Sequence, residues 1–113
     1  MKIAKYTAVC LLTFAFAIAS VEAHPKTVRI TVTKDGFSRS SITGEVGSPL
    51  TLIFTRESKE GCGGKVVFPS LGISRNLPIG KPVTIVITPK KEGTINFACG
   101  MGMYKGSIVA TEH

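Results

Sequence analysis

The chain has 113 residues, enough for one domain with a modest core but not for several. Its 14 Lys and Arg against 7 Asp and Glu give a formal charge of +7, a surplus that suits a soluble basic surface or an anionic partner. The basic residues are scattered and no aromatic run accompanies them, which argues against a nucleic-acid reader.

The first element is a targeting segment. Lys2 and Lys5 form a short basic head, Ala8 to Ala19 is apolar apart from Thr13, and Val21-Glu22-Ala23 offers small residues at −3 and −1. This is the pattern of a cleavable signal peptide, and it places cleavage after Ala23. The apolar run falls short of the about 20 residues that a spanning helix needs, so the alternative, an uncleaved anchor, fits less well. Cys10 lies within the apolar run and leaves with it. The chain is thus expected to divide into a signal peptide at 1–23 and one domain at 24–113. The loss of Lys2, Lys5 and Glu22 lowers the formal charge from +7 to +6.

The folded unit reads as strands. Val28, Ile30 and Val32 alternate with Arg29, Thr31 and Thr33, the period of a half-buried strand. Lys34-Asp35-Gly36 is a turn signal. A short strand follows over Ile42 to Val46, closed by Gly47-Ser48-Pro49, and a longer one over Leu50 to Arg56. Glu57 to Gly64 is a polar, glycine-rich loop that carries Cys62. Val66-Val67-Phe68 is a short buried strand, and Ser70 to Lys81 is irregular. Val83 to Thr88, Thr94 to Cys99 and Gly106 to Thr111 are the remaining strands. No stretch keeps a helical period, so an all-β sandwich or barrel of about seven strands is expected.

The chemistry is concentrated in Cys99-Gly100-Met101-Gly102-Met103. Met101 and Met103 are the only methionines after the signal segment, and both fall close behind a cysteine. A thiolate with thioethers is a soft ligand set, the kind that selects Cu(I). The glycines allow the backbone to curl so that the sulfurs can face one point. The competing reading makes Met101 and Met103 packing residues at the end of a sandwich. Cys62 sits before a strand and Cys99 at a strand end, so the two can meet at one pole. That arrangement suits either a metal site or a disulfide, which is the simplest use of a cysteine pair in an exported domain; the sequence leaves both open.

Histidines occur only at the two ends of the folded unit, His24 and His113. A blue-copper centre needs two histidines beside its cysteine, so a conventional one is not expected. Zinc is disfavoured because thioether is a poor ligand for it. His24 becomes the first residue if cleavage follows Ala23, and its amine and imidazole then form a candidate Cu(II) chelate, with Pro25 removing the next amide as a ligand; a loose terminus is the plainer reading. No Ser/His/Asp arrangement, apolar carboxylate pair or phosphate loop is present, so no enzymatic activity is expected.

The segments Val32-Thr33-Lys34-Asp35-Gly36-Phe37-Ser38, Gly47 to Arg56, Cys62 to Ile73, Leu77 to Val83 and Phe97 to Gly106 together resemble the small periplasmic cupredoxin-like domain proteins. The resemblance covers nearly all of the folded unit. It implies a Greek-key β-sandwich, a periplasmic location and a copper site. By position it makes Cys99 the cysteine ligand, puts Met101 and Met103 where a histidine and a methionine usually stand, and places Cys62 slightly upstream of the usual first histidine. The metal ligands expected are therefore Cys62, Cys99, Met101 and Met103, with Cu(I) as the favoured cofactor. The roles that follow are a monomeric copper carrier or resistance protein working with other copper-handling envelope proteins, an electron-transfer protein with an atypical centre, or a metal-free interaction module closed by a Cys62–Cys99 disulfide.

Overall fold

In the computed structural model residues 24–112 are described; the expected signal segment with its cleavage point and Cys10, and His113, lie outside them. Nine strands and one short 3-10 turn make up this part: β1 (Lys26–Thr33), β2 (Gly36–Phe37), β3 (Ser41–Glu45), β4 (Leu50–Arg56), β5 (Lys65–Phe68), β6 (Ile73–Asn76), β7 (Val83–Ile87), β8 (Gly93–Cys99) and β9 (Lys105–Thr111), with the turn at Pro69–Leu71. The seven expected strands are all present. The two additional ones are β2 and β6. The first is a two-residue return from the Asp-Gly turn, pairing Val32 with Phe37. The second, Ile-Ser-Arg-Asn, is mostly exposed and pairs only with β5, so it has no inward alternation to read from sequence.

The strands form two sheets, in the orders β2-β1-β4-β7 and β3-β9-β8-β5-β6. Two of the pairings are parallel, β1 with β4 and β3 with β9, and each joins strands distant in sequence. These crossovers tie the sheets into a sandwich. The alternation seen in the sequence is the burial pattern. Val28, Ile30 and Val32 of β1, Leu50, Leu52 and Phe54 of β4, and Ile85 and Ile87 of β7 point inward and meet Val66, Phe68, Phe97 and Ile108 of the second sheet.

The parallel registers fix two poles. Lys26 lies beside Leu50 at one end and Val32 beside Arg56 at the other. The N-terminal pole holds His24, the β3–β4 turn and the end of β9, where the Val46 amide donates to the Thr111 carbonyl. The opposite pole holds the β1–β2 turn, the loop 57–64 and the β8–β9 loop, linked by the Tyr104 hydroxyl donating to the Lys34 carbonyl at 2.6 Å. An aromatic cluster lies in the core behind it. Phe37 is 5.1 Å from Phe97 and 6.0 Å from Tyr104 between ring centroids, in the tilted and edge-on arrangements such rings favour.

Candidate functional site

The second pole gathers the sulfur atoms. Cys99 is the last residue of β8, held beside Val66 of β5 by the antiparallel pairing. Its position follows from alternation: Phe97 and Cys99 share the buried face of the strand. Cys62 reaches it from the loop 57–64, and the two form a disulfide with Cα atoms 5.8 Å apart. Both are buried.

The β8–β9 loop folds tightly around Cys99. The Cys99 amide donates to the Tyr104 carbonyl at 3.0 Å, and the Gly102 amide donates to the Cys99 carbonyl at 2.9 Å. Gly102 has φ +77°, a left-handed conformation that a β-carbon would strain, and this closes the turn. The Tyr104 amide in turn donates to Cys99 Sγ at 3.3 Å. A backbone dipole aimed at this sulfur favours negative charge on it once the bridge is open.

Loop 57–64 is held by Arg56. Its Nε donates to the Ser58 carbonyl at 2.9 Å and its Nη2 to the Lys59 carbonyl at 3.1 Å. The guanidinium also forms a wall of an open cleft of about 400 Å³ lined by Gly61, Cys62, Gly64, Lys65, Gly100 and Met101. Of the four sequence-expected ligands Cys62 and Met101 line one cleft, with Met101 81% exposed at its rim, and Cys99 lies buried behind it, bonded to Cys62. Met103 is 70% exposed on the same loop and does not line the cleft. Such exposure does not suit the packing role weighed for these methionines. Sequence reasoning missed Arg56 and Lys65 as parts of the site. The one available signal was a cation at each strand end bordering the Cys62 loop.

The donor set fits a soft metal only in the reduced state, since a bridged cysteine has no thiolate to offer. Opened, the pair supplies two thiolates already close enough to bridge, with a thioether in the same cleft. Among the described residues no group of three or more His, Cys, Asp and Glu is clustered as for a harder ion. His24, the histidine within the described residues, lies at the opposite pole, with Nδ1 2.9 Å from a Glu45 carboxylate oxygen.

The comparisons with known proteins agree with this architecture. The metal-binding domain of the Streptococcus pneumoniae Cu(I)-exporting P-type ATPase CopA, in a structure with Cu(I), is 29% identical, with a TM-score of 0.74 over 82% of this chain and 92% of that one. A copper-binding protein solved in its apo form is 28% identical, with a TM-score of 0.69 over 80% of this chain and 98% of that one. Reduced auracyanin from Roseiflexus castenholzii, at 16% identity and a TM-score of 0.58 over 80% and 99% of the two chains, shares the fold. No curated protein sequence matches. The cupredoxin-like domain model matches residues 6–110, and with two sheets closing over a cysteine at the end of β8 the chain belongs to the cupredoxin-like domain family.

Proposed function

We propose that this protein is an exported Cu(I) carrier, and that its cargo is held at the sulfur pole by Cys62, Cys99 and a thioether of Met101 or Met103. The observation that carries the reading is the meeting of Cys62 and Cys99 beneath a cleft that Met101 lines. Two thiolates with one Cu(I) leave a net negative charge, which the Arg56 and Lys65 side chains on the cleft wall offset. Exposed thioethers on a short loop suit ligand exchange with a copper-handling partner of the envelope, because they can leave the ion and return without unfolding the core. The protein acts as a monomer in the periplasm. Its similarity to a Cu(I)-bound transporter domain supports a carrier over an electron-transfer role. So does the absence of a histidine from this pole among the described residues, since a blue centre needs two.

Loading requires that the disulfide first be opened. A dithiol reductant supplies two electrons and two protons, becoming a disulfide itself; the two thiols then lose their protons as they bind Cu(I). The closed bridge also favours a second reading, a metal-free interaction module in which Cys62–Cys99 is a permanent staple.

One titration separates them. The processed protein is fully reduced, and Cu(I) is titrated anaerobically against a chromogenic chelator. The carrier reading expects one tight equivalent, a change in the emission of Tyr104, and loss of binding in Cys99→Ser. It also expects weaker binding in the double variant Met101→Leu/Met103→Leu. Failure of the fully reduced protein to compete with the chelator would leave the staple as the function of the pair.

A further inference from the structure

We propose that the N-terminal pole is a second copper site, for Cu(II), assembled by removal of the signal segment: the amine and Nδ1 of His24 with the carboxylate of Glu45. Three features converge there. His24 Nδ1 lies 2.9 Å from Glu45 Oε2. The His24 nitrogen donates to Ser48 Oγ at 3.0 Å, and Ser48 is buried at 3% exposure, so this nitrogen is held by a fixed hydroxyl. His24, Glu45 and Ser48 border one cleft of about 200 Å³ with Pro25, Lys26 and Pro49.

The geometry is that of a chelate. Two ligands at right angles on a first-row metal, with bonds of about 2.0 Å, stand about 2.8 Å apart. The Nδ1 to Oε2 hydrogen bond, at 2.9 Å, already holds the two atoms close to that spacing, so a metal can take the place of the shared proton. Cleavage after Ala23 turns the His24 nitrogen from an amide into an amine. The amine keeps a hydrogen for Ser48 Oγ and presents its lone pair to the metal, closing a ring with Nδ1 of the same residue. Pro25 has no amide proton, so the chain cannot add its next nitrogen as a ligand; Glu45 takes one of the two remaining in-plane positions and water the other. Two nitrogens and a carboxylate form the N,O set that Cu(II) takes in tetragonal geometry and binds ahead of the other divalent first-row ions. The Lys26 ammonium, the nearby cation of β1, is engaged by the Thr43 carbonyl at 2.8 Å.

The two poles then divide the oxidation states: sulfur for Cu(I) at one end, nitrogen and oxygen for Cu(II) at the other. This site does not depend on the sulfur reading, because it can be assayed with the disulfide closed. The protein is purified from an exporting host, its first residue is read by mass spectrometry, and copper(II) sulfate is titrated under electron paramagnetic resonance. The expected result is a first residue of His24 and one equivalent with a tetragonal spectrum showing nitrogen hyperfine structure. Binding falls at least roughly a hundredfold in His24→Ala and roughly tenfold in Glu45→Gln, with melting temperatures unchanged. His113→Ala and Met101→Leu/Met103→Leu leave it as it was. A different first residue, a spectrum retained in His24→Ala, or full affinity in Glu45→Gln would overturn the site.

Discussion

Tyr104 links three parts of the sulfur pole. Its amide touches Cys99 Sγ, its hydroxyl holds the Lys34 carbonyl, and its ring packs edge-on to Phe37. Gly61 lies directly beneath the hydroxyl, with φ +82°; a methyl group there would overlap the oxygen. Gly61→Ala therefore combines left-handed strain with a clash, and is expected to cost about 1–3 kcal/mol in denaturant unfolding. Tyr104→Phe loses a neutral hydrogen bond and is expected to cost about 1 kcal/mol. The two changes should not add: with the hydroxyl gone, Gly61→Ala has less to displace, and the double variant should fall short of the sum of the singles. Strict additivity would mean that the contact does not position the loop. In the sequence Tyr104 is the residue after Met103 and nothing more. Its hydrogen bond to Lys34, 70 positions away, belongs to the folded chain alone.

The loop 57–64 carries Cys62 with little regular structure, and one strand-end side chain ties its first turn. Arg56 donates from two nitrogens to the carbonyls of Ser58 and Lys59, a fork that a lysine cannot reproduce. Arg56→Lys is expected to loosen the loop at a cost of about 1–2 kcal/mol and to expose the disulfide more often. The rate at which dithiothreitol reduces Cys62–Cys99 should then rise several-fold, with the sheets intact by circular dichroism. An unchanged rate would show that the strand ends alone hold the loop. On the other side of the cleft, the β8–β9 loop has its own amide network and should keep its hydrogen-exchange protection in the same variant.

For the molecule as a whole, the disulfide joins residues separated by 37 positions and ties loop 57–64 to the end of β8. By chain entropy a closure of that length stabilises the fold by about 4 kcal/mol, and measured values commonly fall to about 2 kcal/mol. For a domain of this size, the reduced, copper-free protein should therefore melt roughly 10–25 °C below the oxidised one. If the same cysteines bind Cu(I), the ion replaces the staple, and saturating Cu(I) should restore much of that loss by mass action. Calorimetry of oxidised, reduced and Cu(I)-loaded protein tests this in one series. A reduced protein that melts with the oxidised one would remove the bridge from the account of stability.

Composition and local pattern were enough to identify seven of the nine strands among the described residues. Alternation at Val28-Ile30-Val32 or at Val83-Ile85-Ile87 is a one-dimensional record of which face meets the core, because successive side chains point to opposite sides. The same chain order made Cys99 and the two methionines legible as a group, since they are neighbours in sequence. What the sequence left open was decided by pairing between distant segments. The antiparallel pairing of β5 with β8 brought Cys62 onto Cys99 and Lys65 into one cleft with Arg56, and the parallel register of β1 with β4 set His24 beside Glu45 at the far end. The exposed edge strand β6 was invisible for a related reason: it buries no face, so only hydrogen bonds to β5 define it. Local periodicity records what each residue does to its own strand, whereas a site is made by strands that meet only after the chain has folded.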